Sequence, residues 1–414
     1  MATPPSSSAD GGSSSRRETH ATLAAGFFSN GVWDTLSVLV PLYAIAAGLS
    51  VSEVGLIVAA RSVLPTALSI HGGILMDRWG IRRVLLWLSL VSLVLPLFYP
   101  VSGSFAVLCA LQLILGLASS LAMAAAQTWS LQSSGSDTAA LARFSLVSRV
   151  GTFIGPVMVG AVWDWAGAWA SFACISLWAA GMLASARHGA QARVDHSAAA
   201  RAQEGGRSAG HFMPRWAEHR DALVLAAIPA VAFVLAVSFL RNAPGAIQAS
   251  FYVVYLGELG MSGTLIGTLV GLSELAGVLG SLVAARTERF MRAHWLVILC
   301  IAASVAAIAI TPLIGAFLSL LIAAAAVRGL AQGISQPLMY ALLGRSVPPS
   351  VHGATVGLRN SVTRLASIIT PALMGVIAEI WGIEASFYLV GALLLVGTGI
   401  LALAAARRQS NRTA

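Results

Sequence analysis

Eight ionisable side chains stand inside stretches that are otherwise apolar: the carboxylates of Asp34 and Glu274, and the guanidinium groups of Arg61, Arg149, Arg241, Arg328, Arg359 and Arg364. A charge near the middle of such a stretch costs about 2.5 to 3.5 kcal/mol on membrane-insertion scales, so each needs a partner or a wet cavity. A carboxylate that is hydrated or paired in one arrangement and desolvated in another takes up and releases a proton, which makes Asp34 and Glu274 candidate proton carriers. Counting about 1.5 Å per helical residue from one end puts Asp34 about 21 Å deep and Arg61 about 14 Å deep. Arg241 and Glu274 fall at similar depths, so two pairs are expected, Asp34 with Arg61 and Arg241 with Glu274. The same pairs read equally as permanent bridges that orient helices.

The surplus of arginine, notably Arg149, Arg328 and Arg364, points to a ligand with a carboxylate or many oxygen acceptors. The alternative is that Arg149 and Arg364 extend to a membrane surface along their apolar stems. Asn30, Asp34, Ser37 and Pro41 share one helical face, as do Arg241, Gln248, Tyr252 and Tyr255, and both faces have the polarity of cavity walls. Asn242 and Arg328 complete the candidate lining, and Pro244 with Gly245 is expected to break its helix.

The elements that must carry these residues cross a membrane. Of 414 residues, 57% are hydrophobic and 10% charged, at a mean hydropathy of +0.82, more apolar surface than a soluble core can hide. Twelve spans of roughly the 20 residues a bilayer requires are expected. They are 21–48, 52–76, 83–102, 104–128, 140–163 and 167–187, then 222–256, 262–285, 293–313, 316–343, 353–378 and 384–406. Residues 1–20 read as a disordered tail with no signal peptide, 188–221 as a polar linker between bundles 21–187 and 222–406, and 407–414 as a second tail. Loops bearing arginine, from Arg16 and Arg17 to Arg407, Arg408 and Arg412, all fall on one side, which places both termini in the cytoplasm of a polytopic inner-membrane protein.

Several functions are excluded. The net charge of +9 is spread over loops on one side, against nucleic-acid binding, and the sequence has no lysine, so it has no Walker A phosphate loop for ATP. Cys109, Cys174 and Cys300 lack metal-ligand spacing, and HExxH and GxSxG are missing, so neither metal, cofactor nor enzymatic chemistry is expected. The partners that remain are lipid, a small-molecule substrate and protons or another coupling ion, with the chain acting as a monomer.

The two halves repeat each other. PLYAIAAGLSVSEVGLIV (41–58) overlays VVYLGELGMSGTLIGTLV (253–270) without a gap, and RVGTFIGPVMVGAVWDWAGAWASF (149–172) overlays RLASIITPALMGVIAEIWGIEASF (364–387). Between the second and third spans the chain reads GGILMDRWGIRR, placing Gly73, Asp77, Arg78, Gly80, Arg82 and Arg83 in the pattern G-x-x-x-D-R-x-G-x-R-R. Gly73 reads as a close helix approach, Gly80 as a tight turn, and the arginines as ties to the anionic leaflet.

With that motif and repeat, the sequence resembles the major facilitator superfamily over residues 20–406. The resemblance implies an all-α membrane fold of twelve helices in two six-helix pseudo-symmetric bundles, with a substrate site near the midplane between them. It also implies that Asp77 latches the cytoplasmic side against the start of helix 11, just after Ser350, while the cavity faces out. Gly151, Gly155, Pro156 and Gly160 resemble the family's antiporter motif in helix 5, with Pro371 repeating Pro156 in helix 11. That motif leans toward proton-coupled export, and proton-coupled uptake of an organic anion and a non-transporting sensor are the other readings. Where the family often has an intramembrane arginine in helix 4, this chain has Gln112, a further cavity candidate.

Overall fold

The computed structural model describes residues 10–134, 137–188, 229–346 and 352–413, and among these no strand occurs. Backbone polar groups have no water to bond in lipid, so each span must satisfy its own N–H and C=O groups, which a helix does. The first half comprises α1 (Asp10–Ala46), α2 (Val51–Trp79), α3 (Ile81–Val94, continued by a tighter turn over Leu95–Val101) and α4 (Phe105–Ser134). The helical run Thr138–His188 reverses at Gly167, whose φ of 73° is left-handed, and so divides into α5 before it and α6 after it.

The second half has α7 (Pro229–Ile247, a π-turn over Gln248–Tyr252, then Val253–Glu258), α8 (Gly263–Thr287), α9 (Ala293–Ala309), α10 (Leu318–Ser346), α11 (His352–Trp381) and α12 (Ile383–Thr413). Ten helical stretches are long and apolar enough to cross a membrane, and Ala293–Ala309 is a shorter apolar helix. One of the ten is the 50-residue run that turns back at Gly167, so twelve crossings are accounted for.

The boundaries differ from expectation at the ends. α1 begins at Asp10 and α12 reaches Thr413, so residues 10–20 are helical where a disordered tail was expected, and the helix continues through 407–413, the second tail. A helix already nucleated in the membrane extends at one hydrogen bond per residue, which favours such overruns. Residues 1–9 and the linker after His188 lie outside the described residues. α7 runs straight through Pro244 and Gly245; the irregularity falls four residues later, as the π-turn at Gln248.

The repeat shows in the caps. Ser50 accepts from the Glu53 N–H and the Glu53 carboxylate accepts from the Ser50 N–H, a capping box at the start of α2. Ser262 caps α8 in the same way from its hydroxyl.

The interior is apolar within each half. Leu85, Ala122, Trp129 and Met182 pack together in the first, and Leu269, Val297, Ile301 and Phe387 in the second. Glycine lets α8 and α10 touch: a Cβ at Gly333 would collide with the carbonyl oxygen of Gly277, and one at Gly329 with that of Ser273. Gly333→Val is therefore expected to destabilise the second half by about 1–3 kcal/mol. Thermal unfolding in detergent should show a lowered midpoint, and an unchanged one would contradict this packing.

Candidate functional site: a polar cavity between the halves

The two halves meet most tightly at one end of the bundle, where α1 finishes and α2 begins. Here α5 lies against α8 so closely that a Cβ at Gly160 would strike the Gly263 carbonyl and one at Gly267 the Pro156 carbonyl. The repeat-related contact sets α2 on α11, where a Cβ at Gly55 would come within 2.6 Å of the Pro371 oxygen. Pro156 and Pro371 thus sit at the two seams. Gly151 and Gly155 serve a different contact, letting α1 approach α5 near Phe27 and Thr35.

Two carboxylates close the same end. Asp164, at the far end of α5, accepts from the Gly263 N–H at 2.6 Å, the Thr264 N–H at 2.8 Å and the Thr264 hydroxyl at 2.6 Å. It thereby binds the N-terminus of a helix in the other half, where free N–H groups and the helix dipole favour an anion. Across the pseudo-twofold, Glu379 of α11 accepts from the Ser52 N–H at 3.4 Å, at the start of α2.

Beyond this seal, toward the arginine-bearing end, a cavity of about 650 Å³ opens between the halves. α1 contributes Asn30, Trp33 and Asp34, α4 contributes Met123 and Gln127, and α5 contributes Ser148 and Arg149. From the second half come Arg241, Asn242 and Gln248 of α7, Glu274 of α8, Gln332 and Gln336 of α10, and Arg359 and Thr363 of α11. Asp34 and Glu274 thus face one space from opposite halves, near enough for their charges to interact.

The expected ion pairs are not the contacts made. Arg61, 4% exposed, lays its guanidinium 3.5 Å over the Trp33 ring and donates to the Trp33 carbonyl. Its charge still acts on Asp34. Arg241 turns to α10, donating to the Ser335 hydroxyl and the Gln332 carbonyl, both at 2.9 Å, and to Gln336 Oε1 at 3.4 Å. Gln332 Nε2 returns a bond to the Arg241 carbonyl at 2.7 Å. These neutral acceptors hold the arginine without neutralising it, so Glu274 stays open to the cavity.

Other expected residues divide between wall and interior. Asn30 lines the cavity, its amide donating to the Gly26 carbonyl at 2.9 Å. Asn242 lines it while tying α7 to α11 through the Thr363 carbonyl and the Ser367 hydroxyl. Gln248 lines it from the π-turn, donating to the Val270 carbonyl at 3.4 Å.

Ser37 is buried away from the cavity and donates to the Asp34 carbonyl. Gln112 is 1% exposed and also off the cavity, in the part of α4 that Gly116 presses onto the Arg61 backbone. Tyr252 and Arg328 pack behind the wall, with the guanidinium 5.1 Å from the ring and Nε 3.3 Å from the Ser273 hydroxyl. Arg364 donates to the Ser120 hydroxyl of α4 at 2.7 Å, a bond between halves rather than a reach to the surface.

In the motif loop, Gly80 ends α2 at a φ of 83°, as a tight turn requires. Among the described residues Gly73 makes no close helix contact, a Cβ there meeting open space, and it is Gly72 that packs on Leu121. Arg82 donates to the Ala186 and Arg187 carbonyls at the end of α6, while Arg83 flanks a small groove beside Arg187. Arg78 is exposed. The Asp77 side chain and residues 347–351 lie outside the described residues, and with them the expected contact beyond Ser350.

Several wall residues were missed in the sequence although it carried a signal for them. Gln332, Gln336 and Tyr340 follow the expected Arg328 at intervals of four residues on α10, a polar stripe on one face of an apolar helix. Asp164 and Glu379 are matched by the same overlay that pairs Pro156 with Pro371.

The sequence profile of the Major Facilitator Superfamily matches residues 22–243 and 234–414. Two crystal structures of the nucleoside transporter NupG, one of a mutant, superimpose with a TM-score of 0.76 at 15% and 13% identity, covering 93% of this chain and 98% of theirs. The curated proteins include none that matches it in sequence.

Proposed function

This chain belongs to the major facilitator superfamily, and from that premise we propose that it is a secondary active transporter that couples a small organic solute to protons. The observation that carries the reading is a cavity, closed at the Asp164 end and not at the other among the described residues, into which Asp34 and Glu274 project from opposite halves. The arginine-bearing loops assign the sealed end to the outside, so the conformation is inward-facing. When the halves rock, the seal opens, the far end closes, and the two carboxylates change their access to water and their distance from Arg61, Arg149, Arg241 and Arg328. Proton affinity then differs between the two states, which is what coupling requires.

The motif loop suits the opposite state. Gly73 faces open space in this conformation and becomes a helix contact when the cytoplasmic end closes, with Asp77 at its latch. The glycines and proline of helix 5 are accounted for as seams with α1 and α8, a role independent of direction. They therefore carry no weight for export, and the sign of coupling decides the direction instead.

Purified protein in proteoliposomes, given labelled polar solutes under an imposed pH gradient, tests the reading. Accumulation should collapse when an uncoupler dissipates the gradient. Accumulation indifferent to the uncoupler would refute proton coupling.

A further inference from the structure

We infer that the solute this cavity takes is an organic anion, bearing a carboxylate or phosphate, and that it travels together with protons carried on Asp34 and Glu274. The inference rests on the transporter reading above and adds to it the charge of the solute and the sign of coupling.

Three guanidinium groups, of Arg149, Arg241 and Arg359, line the cavity against two carboxylates. Two more, of Arg61 and Arg328, lie directly behind its wall, on Trp33 and Ser273. With both acids ionised the site still holds three uncompensated positive charges, in a setting where unbalanced charge is costly.

The cations also differ in how far they are used. Arg241 is committed to three acceptors on α10. Arg359 stacks 4.5 Å from the Tyr340 ring and donates one nitrogen to Asn360 at 2.7 Å, while its buried Nε has no acceptor among the described residues. The Arg149 guanidinium makes no hydrogen bond to a described residue, and its Nη1 reaches across to Gly277 of the other half. One of these two donors comes from each half, so an anion that satisfies both bridges the halves, as a solute that drives their rocking must. Forked donors of this kind match carboxylate and phosphate oxygens.

The sign of coupling follows from the charges around the acids. Asp34 is faced by Glu274, Arg61 and Arg149. Glu274 is faced by Asp34, Arg241 and Arg328. Tyr99, Tyr252 and Tyr340 also lie beside these arginines. Protonating either acid removes a negative charge and strengthens anion binding, and by linkage the bound anion draws protons onto the acids. A cationic solute would do the reverse and exchange against protons.

The potential inside the cavity can be read without knowing the solute. Gln127 is exposed on the cavity wall, and none of Cys109, Cys174 and Cys300 lines it. In a Gln127→Cys protein with those three replaced by alanine, the thiol is reacted with an anionic sulfonatoethyl methanethiosulfonate and with its cationic trimethylammonium counterpart. Each rate is divided by that of the same reagent with a free thiol.

The anionic reagent is expected to win by at least about tenfold. The ratio should drop several-fold in Arg149→Gln and Arg359→Gln. A ratio at or below one overturns the inference. So does proton flux in proteoliposomes evoked by choline or inosine but by none of benzoate, succinate and glycerol phosphate, a result that leaves the transporter reading standing. If no solute evokes flux, the transporter reading fails, and the reagent ratio still decides the charge of the site.

Discussion

Asp34→Asn is expected to leave solute exchange across the membrane intact and to cut accumulation against a gradient steeply. Each pH unit is worth about 1.4 kcal/mol per coupled proton, a tenfold solute gradient, so a difference of about two units supports roughly a hundredfold accumulation. Asparagine keeps the size and polarity of the side chain beside Trp33 and Arg149 but cannot carry a proton, so the gradient should fall by about a hundredfold, to what a proton on Glu274 alone supports. Exchange requires only that the loaded carrier rock between its two faces and is expected to continue. The check is a pair of assays on one preparation, counterflow and pH-driven accumulation. A variant that still concentrates its solute like the wild type would remove Asp34 from the coupling scheme.

The second large effect is expected at the seal. Asp164 accepts three hydrogen bonds from the first turn of α8 in the other half, and bonds to a charged group are worth about 1.5–3 kcal/mol in net terms. Because the bonds join the halves only when this end is closed, Asp164→Ala should shift the balance toward the outward-open state by about 10- to 150-fold. Glu379 makes a single, longer contact with Ser52, so Glu379→Ala is expected to act in the same direction and more weakly. Spin labels at Val101→Cys and Phe317→Cys, exposed residues at this end in opposite halves, report the change as a longer distance. An unaltered distance distribution in Asp164→Ala would mean that the glycine seams alone hold the seal.

Much of the fold was legible in the sequence because the physics behind it is one-dimensional. Apolar spans of bilayer length, breaks at Gly80 and Gly167 and the internal repeat can all be read along the chain. The site was legible only in part, because depth along a helix does not give the direction in which a side chain points or the neighbour it meets. Asp34 and Arg61 are at compatible depths, yet the aromatic ring and carbonyl of the adjacent Trp33 take the guanidinium.

Gln112 and Gln127 are both polar residues of α4, but only Gln127 sees the cavity, because Gln112 lies toward the end that is sealed in this state. Which end is open is a property of packing between halves. Asp164 and Glu379 were overlooked for a related reason: they read as loop acids until their partners, helix N-termini in the other half, are in place.

The central claim is that one cavity couples solute and proton through Asp34 and Glu274. It is tested most directly by recording proton movement with a pH-sensitive dye in proteoliposomes as carboxylate and phosphate solutes are added. Wild-type protein should be compared with a protein carrying both Asp34→Asn and Glu274→Gln. The account predicts solute-dependent proton flux in the wild type, in the same direction as the solute, and none in the doubly substituted protein. Equal flux in both would contradict it, because the cavity carboxylates would then have no part in carrying the proton.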